Sequence, residues 1–110
     1  MILNLTQHYA TEDQIKAGVY DLQGEALPDS EEVNARAEKI AAIASQTQKT
    51  GLVMIGGALW LMYPLIKALV KRGLTPLFAY SERETVEEPQ EDGSVKKIAV
   101  FRHKGFVPAW

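Results

Sequence analysis

The sequence predicts an α/β domain whose eight elements follow the order βαβαβαββ and whose sheet is mostly parallel. Along roughly the first 80 residues, short apolar runs alternate with segments of helical periodicity. The remaining residues alternate polar and apolar positions around the turn signal EDGS. We therefore expect a sheet covered by helices on both faces and an antiparallel hairpin at its end.

The first 22 residues predict two short strands with a helix between them. The strands are expected at residues 2–6 and 19–22, where ILNLT and VYDL are largely apolar. Between them, TEDQIKAG begins with a good N-cap in Thr11, has acidic residues in its first turn and ends at Gly18. This pattern is typical of a short α-helix.

A longer amphipathic helix is predicted next. Its expected N-cap is Asp29 or Ser30, and Asp29 with Glu32 has the spacing of a capping box. Charged residues occupy one side, and apolar residues recur at three- and four-residue spacing on the other. The predicted core positions are Val33, Ala37, Ile40 and Ala44.

The apolar stretch in the middle of the chain predicts a buried strand, a turn and a helix. Residues 52–55 are continuously apolar, as in strands buried on both faces. The following helix ends near Arg72 and begins at either Ala58 or Tyr63. With the later start, Pro64 occupies the favoured first helical position. With the earlier start, it removes one helical hydrogen bond and kinks the helix.

The last predicted elements form a hairpin. A fourth strand begins in TPLFAYS and continues into a polar arm, expected at about residues 81–103. A turn follows near Asp92-Gly93, and a fifth, antiparallel strand runs from Val95 to about Arg102. The chain of 110 residues is therefore expected to form one α/β domain with a β-hairpin arm.

Composition and charge narrow the possible partners. The formal net charge of −2 gives no reason to expect binding to duplex nucleic acid. The first 50 residues carry four Lys/Arg against eight Asp/Glu, and the remainder carries eight against six. An anionic ligand would accordingly contact the second half of the chain.

The composition also bears on where the protein is located in the cell and on whether it spans a membrane. The chain has no cysteine, which is compatible with a reducing cytoplasm. Two glycines, Pro64 and Lys67 interrupt the apolar stretch after residue 51, so no membrane span is predicted. We expect a cytoplasmic protein.

Several chemistries are disfavoured by missing residues. With two histidines and no cysteine, a zinc site is not expected, and neither a metal nor a cofactor is predicted. The pair Gly56-Gly57 lacks the Lys-Ser/Thr of a phosphate-binding P-loop and the third glycine of a dinucleotide fingerprint. No Gly-x-Ser-x-Gly nucleophile elbow is present.

The candidate ligand-binding residues follow from the rule that open α/β sheets bind ligands beyond the carboxyl ends of their strands. If the first and third strands are neighbours, the segments that follow them flank the binding crevice. Ser81 and Arg83 follow the fourth strand and are added for the same reason. Arg102 is added because it begins the basic group RHKGF near the end of the fifth strand. The candidates are Thr6, Gln7, His8, Gly56, Gly57, Ser81, Arg83 and Arg102.

Each candidate also has a purely structural interpretation. Gly56-Gly57 either holds an anion against a helix start or satisfies the sterics of a tight turn. His8 is either a general acid or base or a cap for the next helix. Ser81 and Arg83 either hold phosphate or belong to a solvated ribbon, and Arg102 is either a ligand contact or ordinary surface.

Two segments resemble a known family. ILNLTQHYATEDQI is similar to the openings of small CARF-fold proteins of type III CRISPR systems, which have a strand, a polar Ser/Thr-x-His segment and a Thr-capped helix. VMIGGALWLMYPLIKAL resembles the second ligand segment of that family. The resemblance places Thr6, Gln7 and His8 in the first ligand loop and Gly56 and Gly57 in the second. Some stand-alone members are ring nucleases.

The resemblance implies a Rossmann-like homodimer that binds a cyclic oligoadenylate across its two-fold axis. In ring nucleases it further implies metal-independent cleavage, in which a ribose 2′-OH attacks the adjacent phosphate. His8 and Arg83 are then the candidate catalytic residues, although Arg83 rests on the strand-end argument alone.

Two alternatives to a ring nuclease stay open. The protein either sequesters a nucleotide signal without cleaving it, as an antagonist of phage defence would, or is an interaction module with no ligand. In the second case Trp60, Met62, Tyr63 or the hairpin would form a protein interface.

Overall fold

The computed structural model describes residues 1–24, 26–28 and 31–110 and contains one five-stranded, largely parallel sheet. Its strands lie in the order β2-β1-β3-β4-β5, with β5 antiparallel to β4 and the other neighbours parallel. They are β1 (Ile2–Asn4), β2 (Val19–Asp21), β3 (Leu52–Ile55), β4 (Thr75–Pro89) and β5 (Val95–Pro108). The predicted order of elements and the terminal hairpin are confirmed, and β1 lies beside β3.

The helices are α1 (Glu12–Lys16), α2 (Val33–Thr47) and α3 (Leu59–Lys71). Thr11 caps α1 as predicted, and it does so in a capping box with Gln14. The N-cap of α2 is Glu32, whose carboxylate accepts hydrogen bonds from two backbone amides of the first turn. The predicted caps Asp29 and Ser30 lie outside the described residues.

The earlier of the two predicted starts of α3 is the correct one. Ala58 is the N-cap, so Pro64 lies inside the helix. The helix continues through the proline because its apolar face is buried, which outweighs the loss of one hydrogen bond. The buried residues on that face are Leu61, Met62, Leu65, Ala68 and Leu69. No helix formed by the described residues is long and apolar enough to cross a membrane.

The core lies mainly between one face of the sheet and the pair α2 and α3. Ala37, Ile40 and Ala44 of α2 are buried there, as the sequence pattern predicted. The opposite face is covered less completely. There Met54 and Leu77 pack with partly buried side chains such as that of Phe106. The helix α1 contributes no buried residue.

Three strand ends differ from the prediction, and the smallest difference is in β2, which ends at Asp21 rather than at residue 22. The strand β1 ends at Asn4 rather than at residue 6, because the chain then turns and bonds back to the Asn4 side chain. The strand β5 continues past Arg102 to Pro108, since its last residues pair with the beginning of β4. A register shift at Tyr80/Ser81 separates the two halves of this pairing.

The hairpin extends well beyond the rest of the sheet. Pairing between β3 and β4 ends at Ile55 and Phe78, whereas β4 and β5 stay paired as far as Pro89 and Val95. The radius of gyration is 16.8 Å, against about 13 Å for a compact chain of this length. Residues 81–103, here called the arm, therefore project from the carboxyl edge of the parallel strands.

Candidate functional site

A cleft of about 730 Å³ lies at the carboxyl ends of β1 and β3. This volume falls within the range of small-molecule sites, roughly 300–1,000 Å³. We call it the strand-end cleft. Its lining comes from the loop after β1, the turn after β3, the adjoining faces of α2 and α3 and the middle of β4. The lining includes residues 5–9, residues 54–58, Arg36, Trp60, Phe78 and Ala79.

The cleft brings together five of the eight predicted ligand-binding residues, Thr6, Gln7, His8, Gly56 and Gly57. They meet because β1 and β3 are adjacent parallel strands, so the segments that follow them share one edge of the sheet. The other three candidates, Ser81, Arg83 and Arg102, do not line this cleft. They lie on the arm.

A buried asparagine holds the loop after β1. Asn4 is 4% exposed, and its side chain fills all four of its hydrogen-bonding positions. Its Nδ2 donates to the carbonyl of His8 and to Oδ1 of Asp21, both at 2.7 Å. Its Oδ1 accepts from the amide of Thr6 at 2.9 Å and lies 2.7 Å from the Thr6 hydroxyl. These four hydrogen bonds therefore fix the path of the loop after β1.

This network gives Thr6 a structural role. The Thr6 hydroxyl is 2.7 Å from Asn4 Oδ1 and 3.0 Å from the His8 carbonyl, so its hydrogen-bonding capacity is used within the loop. Asp21 holds the other end, because its Oδ1 also accepts from the amide of Ala10 at 2.9 Å. The exposed Gln7 and His8 side chains project from a loop that is fixed on both sides.

The two glycines of the β3–α3 turn are not equivalent. Gly57 has a φ of 131°, a conformation that residues with a Cβ rarely adopt. Gly56 has ordinary backbone angles, and a Cβ built there would meet Thr6 Cγ2 at 3.5 Å, which is normal van der Waals contact. The structure therefore requires glycine at position 57, while position 56 has space for a methyl group.

The start of α3 borders the cleft. Ala58 caps the helix without a side-chain hydrogen bond, and Gly57, Ala58 and Trp60 line the cleft. The first amides of a helix have no partner within the helix and carry partial positive charge. This end of the cleft can therefore accept an anion.

Arg36 adds a positive charge to the lining of the cleft. Arg36 of α2 is half-buried, and its Nε donates to the carbonyl of Pro28 at 2.9 Å, which orients the guanidinium. His8 lies on the opposite loop. Among the described residues that line the strand-end cleft, none is an aspartate or a glutamate. An anionic group placed there would meet donors without a competing carboxylate.

A second, smaller cleft of about 540 Å³ is lined by the same loop. It shares residues 6–9 and Leu27 with the strand-end cleft and is also lined by Asn4 and Asp21. The exposed residue His8 therefore borders both clefts.

The candidates on the arm have a different setting. Arg102 Nε lies 3.7 Å from a Glu84 carboxylate oxygen, and Lys104 Nζ lies 2.7 Å from the other. The hydrogen bond from Lys104 lowers the pKa of the Glu84 carboxyl, and that same bond raises the pKa of Lys104. Ser81 and Arg83 are exposed and face His103 and Phe101 across the ribbon.

Sequence reasoning missed four residues of the site: Asn4, Tyr9, Arg36 and Trp60. The signal for Asn4 was present, because an amide inside the apolar strand ILNL needs a partner once it is buried. Arg36 and Trp60 belong to helices distant in sequence, so only the folded chain brings them to the loop.

A family model matches almost the whole length of the chain. The chain belongs to the family described as "Uncharacterized protein MJ1673 family", whose model matches residues 1–107. Comparisons with curated proteins and with solved structures gave no significant match. The family description specifies no activity.

Proposed function

We propose that this member of the MJ1673 family binds a cyclic oligoadenylate in the strand-end cleft and cleaves it without a metal ion. The proposal includes a Rossmann-like, CARF-like fold, a homodimer and a cytoplasmic role in type III CRISPR antiviral defence. The observation that supports it is the lining of the strand-end cleft, which contains Arg36, His8 and the β3–α3 turn and no described aspartate or glutamate. A cyclic oligonucleotide is a polyanion, and this lining suits its phosphates.

The resemblance to CARF-fold proteins supports the same placement. The two segments that carry the resemblance are the loop after β1 and the turn after β3, and both line the cleft. A ligand with two-fold symmetry matches a site that is repeated across the axis of a homodimer.

The proposed chemistry needs positioning more than a strong nucleophile. The ribose 2′-oxygen attacks the adjacent phosphorus and forms a 2′,3′-cyclic phosphate, while the bond from phosphorus to the 5′-oxygen breaks. His8 takes the proton of the 2′-hydroxyl, and the departing 5′-oxygen takes a proton from solvent water; His8 then returns its proton to the solvent. The amides at Gly57 and Ala58, together with Arg36, stabilise the charge on the phosphate.

A thermal-shift experiment tests binding first. Cyclic tetra-adenylate and cyclic hexa-adenylate are compared with linear tetra-adenylate at equal concentration. We expect a cyclic ligand to raise the melting temperature, because a ligand that binds only the folded state stabilises it. No shift with either ring would overturn the proposal.

Substitutions of Arg36 and Arg102 test whether the ligand binds in the strand-end cleft or on the arm. We expect Arg36→Gln to weaken binding of the cyclic ligand by about tenfold to a hundredfold, the usual contribution of a charged hydrogen bond. Arg102→Gln is the matched control, since Arg102 is paired with Glu84 and does not line the cleft. Calorimetric titration of both variants measures the difference. Equal losses would contradict binding in the strand-end cleft.

Chromatography of the products decides between cleavage and capture. In the presence of EDTA we expect the wild type to give linear products ending in a 2′,3′-cyclic phosphate. His8→Ala should lose far more turnover than binding. Binding without products would instead identify a protein that sequesters the signal.

Arg83 does not line the strand-end cleft of its own protomer. It could act in catalysis only if the homodimer places it at the cleft of the partner subunit. Mixing His8→Ala with Arg83→Ala subunits tests this. If Arg83 acts in the partner's site, the mixture recovers about a quarter of wild-type activity, because half of randomly paired dimers are mixed and each has one complete site. If Arg83→Ala alone retains full activity, the residue has no catalytic role.

A further inference from the structure

Two large aromatic side chains at the strand-end cleft are exposed to solvent. Tyr9 is 89% exposed and Trp60 is 71% exposed, and both line the cleft. Large exposed aromatic groups at the edge of a cleft can mark a binding surface. Neither residue is used by the chemistry proposed above.

Trp60 belongs to an exposed apolar patch at the start of α3. Its neighbours Leu59 and Tyr63 are 85% and 69% exposed. Trp60 alone among these three also lines the cleft. A ligand in the cleft would therefore contact Trp60 but not Tyr63. Tyr63 is accordingly a matched control on the same helix.

Tyr9 is presented by fixed backbone. The carbonyl of His8, immediately before it, accepts a hydrogen bond from Asn4, and the amide of Ala10, immediately after it, donates to Asp21. The side chain nevertheless stays exposed. Such an arrangement fixes the backbone of Tyr9 beside the cleft before any ligand arrives, so binding need not order this part of the main chain.

We infer that Tyr9 and Trp60 stack on adenine bases of the ligand in the strand-end cleft. This inference rests on the proposed function and adds the recognition of the base to that of the phosphate. A nucleotide presents an anionic group and a flat π-face, and the lining offers a partner for each: Arg36 with the turn amides, and the two aromatic rings. Stacking strength favours purine rings over the smaller pyrimidines, so the site prefers adenylate to uridylate rings.

The experiment measures binding of cyclic tetra-adenylate and cyclic tetra-uridylate by calorimetry to four proteins: wild type, Tyr9→Leu, Trp60→Leu and Tyr63→Leu. We expect Tyr9→Leu and Trp60→Leu each to weaken binding of the adenylate ring by about tenfold to a hundredfold, the range that base stacking on an aromatic side chain supplies. Tyr63→Leu should bind within about twofold of wild type, as expected for a surface change away from the site. Melting temperatures confirm that every variant is folded.

A spectroscopic readout locates the base directly. The chain has two tryptophans, and Trp110→Phe leaves Trp60 as the single indole. Binding of the adenylate ring should quench the fluorescence of Trp60, since stacking places a base against the indole. In the same background, Tyr63→Leu should leave the quenching unchanged.

The outcomes distinguish the two proposals. If the adenylate ring binds the wild type, Tyr9→Leu and Trp60→Leu equally well, the stacking inference is overturned and the proposed function stands. Equal losses in Trp60→Leu and Tyr63→Leu, with a change of mass in gel filtration, would identify the patch as a protein interface and also overturn it. No binding of either ring to the wild type would overturn both.

Discussion

The strand-end cleft and the arm both carry basic residues, but their charges have different surroundings. In the arm, Glu84 lies within ion-pair distance of both Arg102 and Lys104. In the cleft, Arg36 bonds to a backbone carbonyl, and the described lining contains no carboxylate. A basic side chain is available to an anionic ligand only where no acidic neighbour compensates it, so the cleft is the better anion site.

The strand-end cleft and the arm also differ in the interactions that stabilise them. The loop of the cleft is fixed by a buried amide with four hydrogen bonds, at the edge of the main core. The arm is a two-stranded ribbon, and residues 81–103 are mostly exposed. Isolated hairpins are marginally stable in water. We therefore expect mutations beneath the cleft to affect global stability and mutations in the arm to affect local order.

The largest expected effect on stability comes from Asn4→Ala. It removes one hydrogen-bond donor each from Asp21 and the His8 carbonyl and takes away the acceptor of the Thr6 amide, which should lower the free energy of unfolding by about 2–3 kcal/mol. Urea denaturation measures the change. Asn34→Ala is the control: Asn34 is exposed and should change stability by less than about 0.5 kcal/mol. A loss as small in Asn4→Ala as in Asn34→Ala would show that the network does not hold the loop.

A smaller effect is expected at the glycine turn. Gly57→Ala forces a Cβ into a positive-φ conformation and should destabilise the fold by about 1–2 kcal/mol. Gly56→Ala meets only an ordinary contact with Thr6, and the reduced freedom of its unfolded chain offsets part of any cost. Thermal and urea unfolding measure the stability of each variant, and we expect Gly57→Ala to be the less stable of the two. The reverse ranking would contradict the described turn.

The smallest effect concerns the pH dependence of the arm. Folding lowers the pKa of the Glu84 carboxyl through its hydrogen bond with Lys104. It also lowers the pKa of Asp92 at the turn through the Ser94 hydroxyl and amide. Both groups therefore contribute stability above their ordinary carboxyl pKa, and this contribution disappears as the pH falls through the lowered values.

Amide exchange in the arm, corrected for the intrinsic pH dependence, measures this effect. Protection should decrease on acidification across the carboxyl range, and Glu84→Gln should flatten the profile in the middle of the arm. A profile unchanged by Glu84→Gln would mean that the ion pair does not order the ribbon, as many exposed pairs do not.

Local features of the fold were predictable from the sequence. The N-cap at Thr11, the hairpin turn at Asp92-Gly93 and the apolar face of α2 all depend on residues close together in the chain. The end of β5 was not, because pairing with β4 extends it, and a local pattern does not show that partner. The N-cap of α2 was also missed although its contacts are local: Glu32 caps the helix, and glutamate is not among the residues preferred at that position.

About half of the candidate site followed from the same reasoning. The strand-end rule brought Thr6 to His8 and Gly56-Gly57 to one place, since it depends only on strand direction and adjacency. The rule failed to bring Ser81 and Arg83 to the cleft, because β4 does not end at the edge of the sheet but continues into the arm.

The sequence alone determined the order of strands and helices and the two segments that border the cleft, because periodicity, caps and turn residues act over a few positions. Only the tertiary structure decided which charges are compensated, that Asn4 holds the loop and that Tyr9, Arg36 and Trp60 share one cleft. Those facts depend on contacts between residues far apart in the chain, and such contacts exist only after the core has packed.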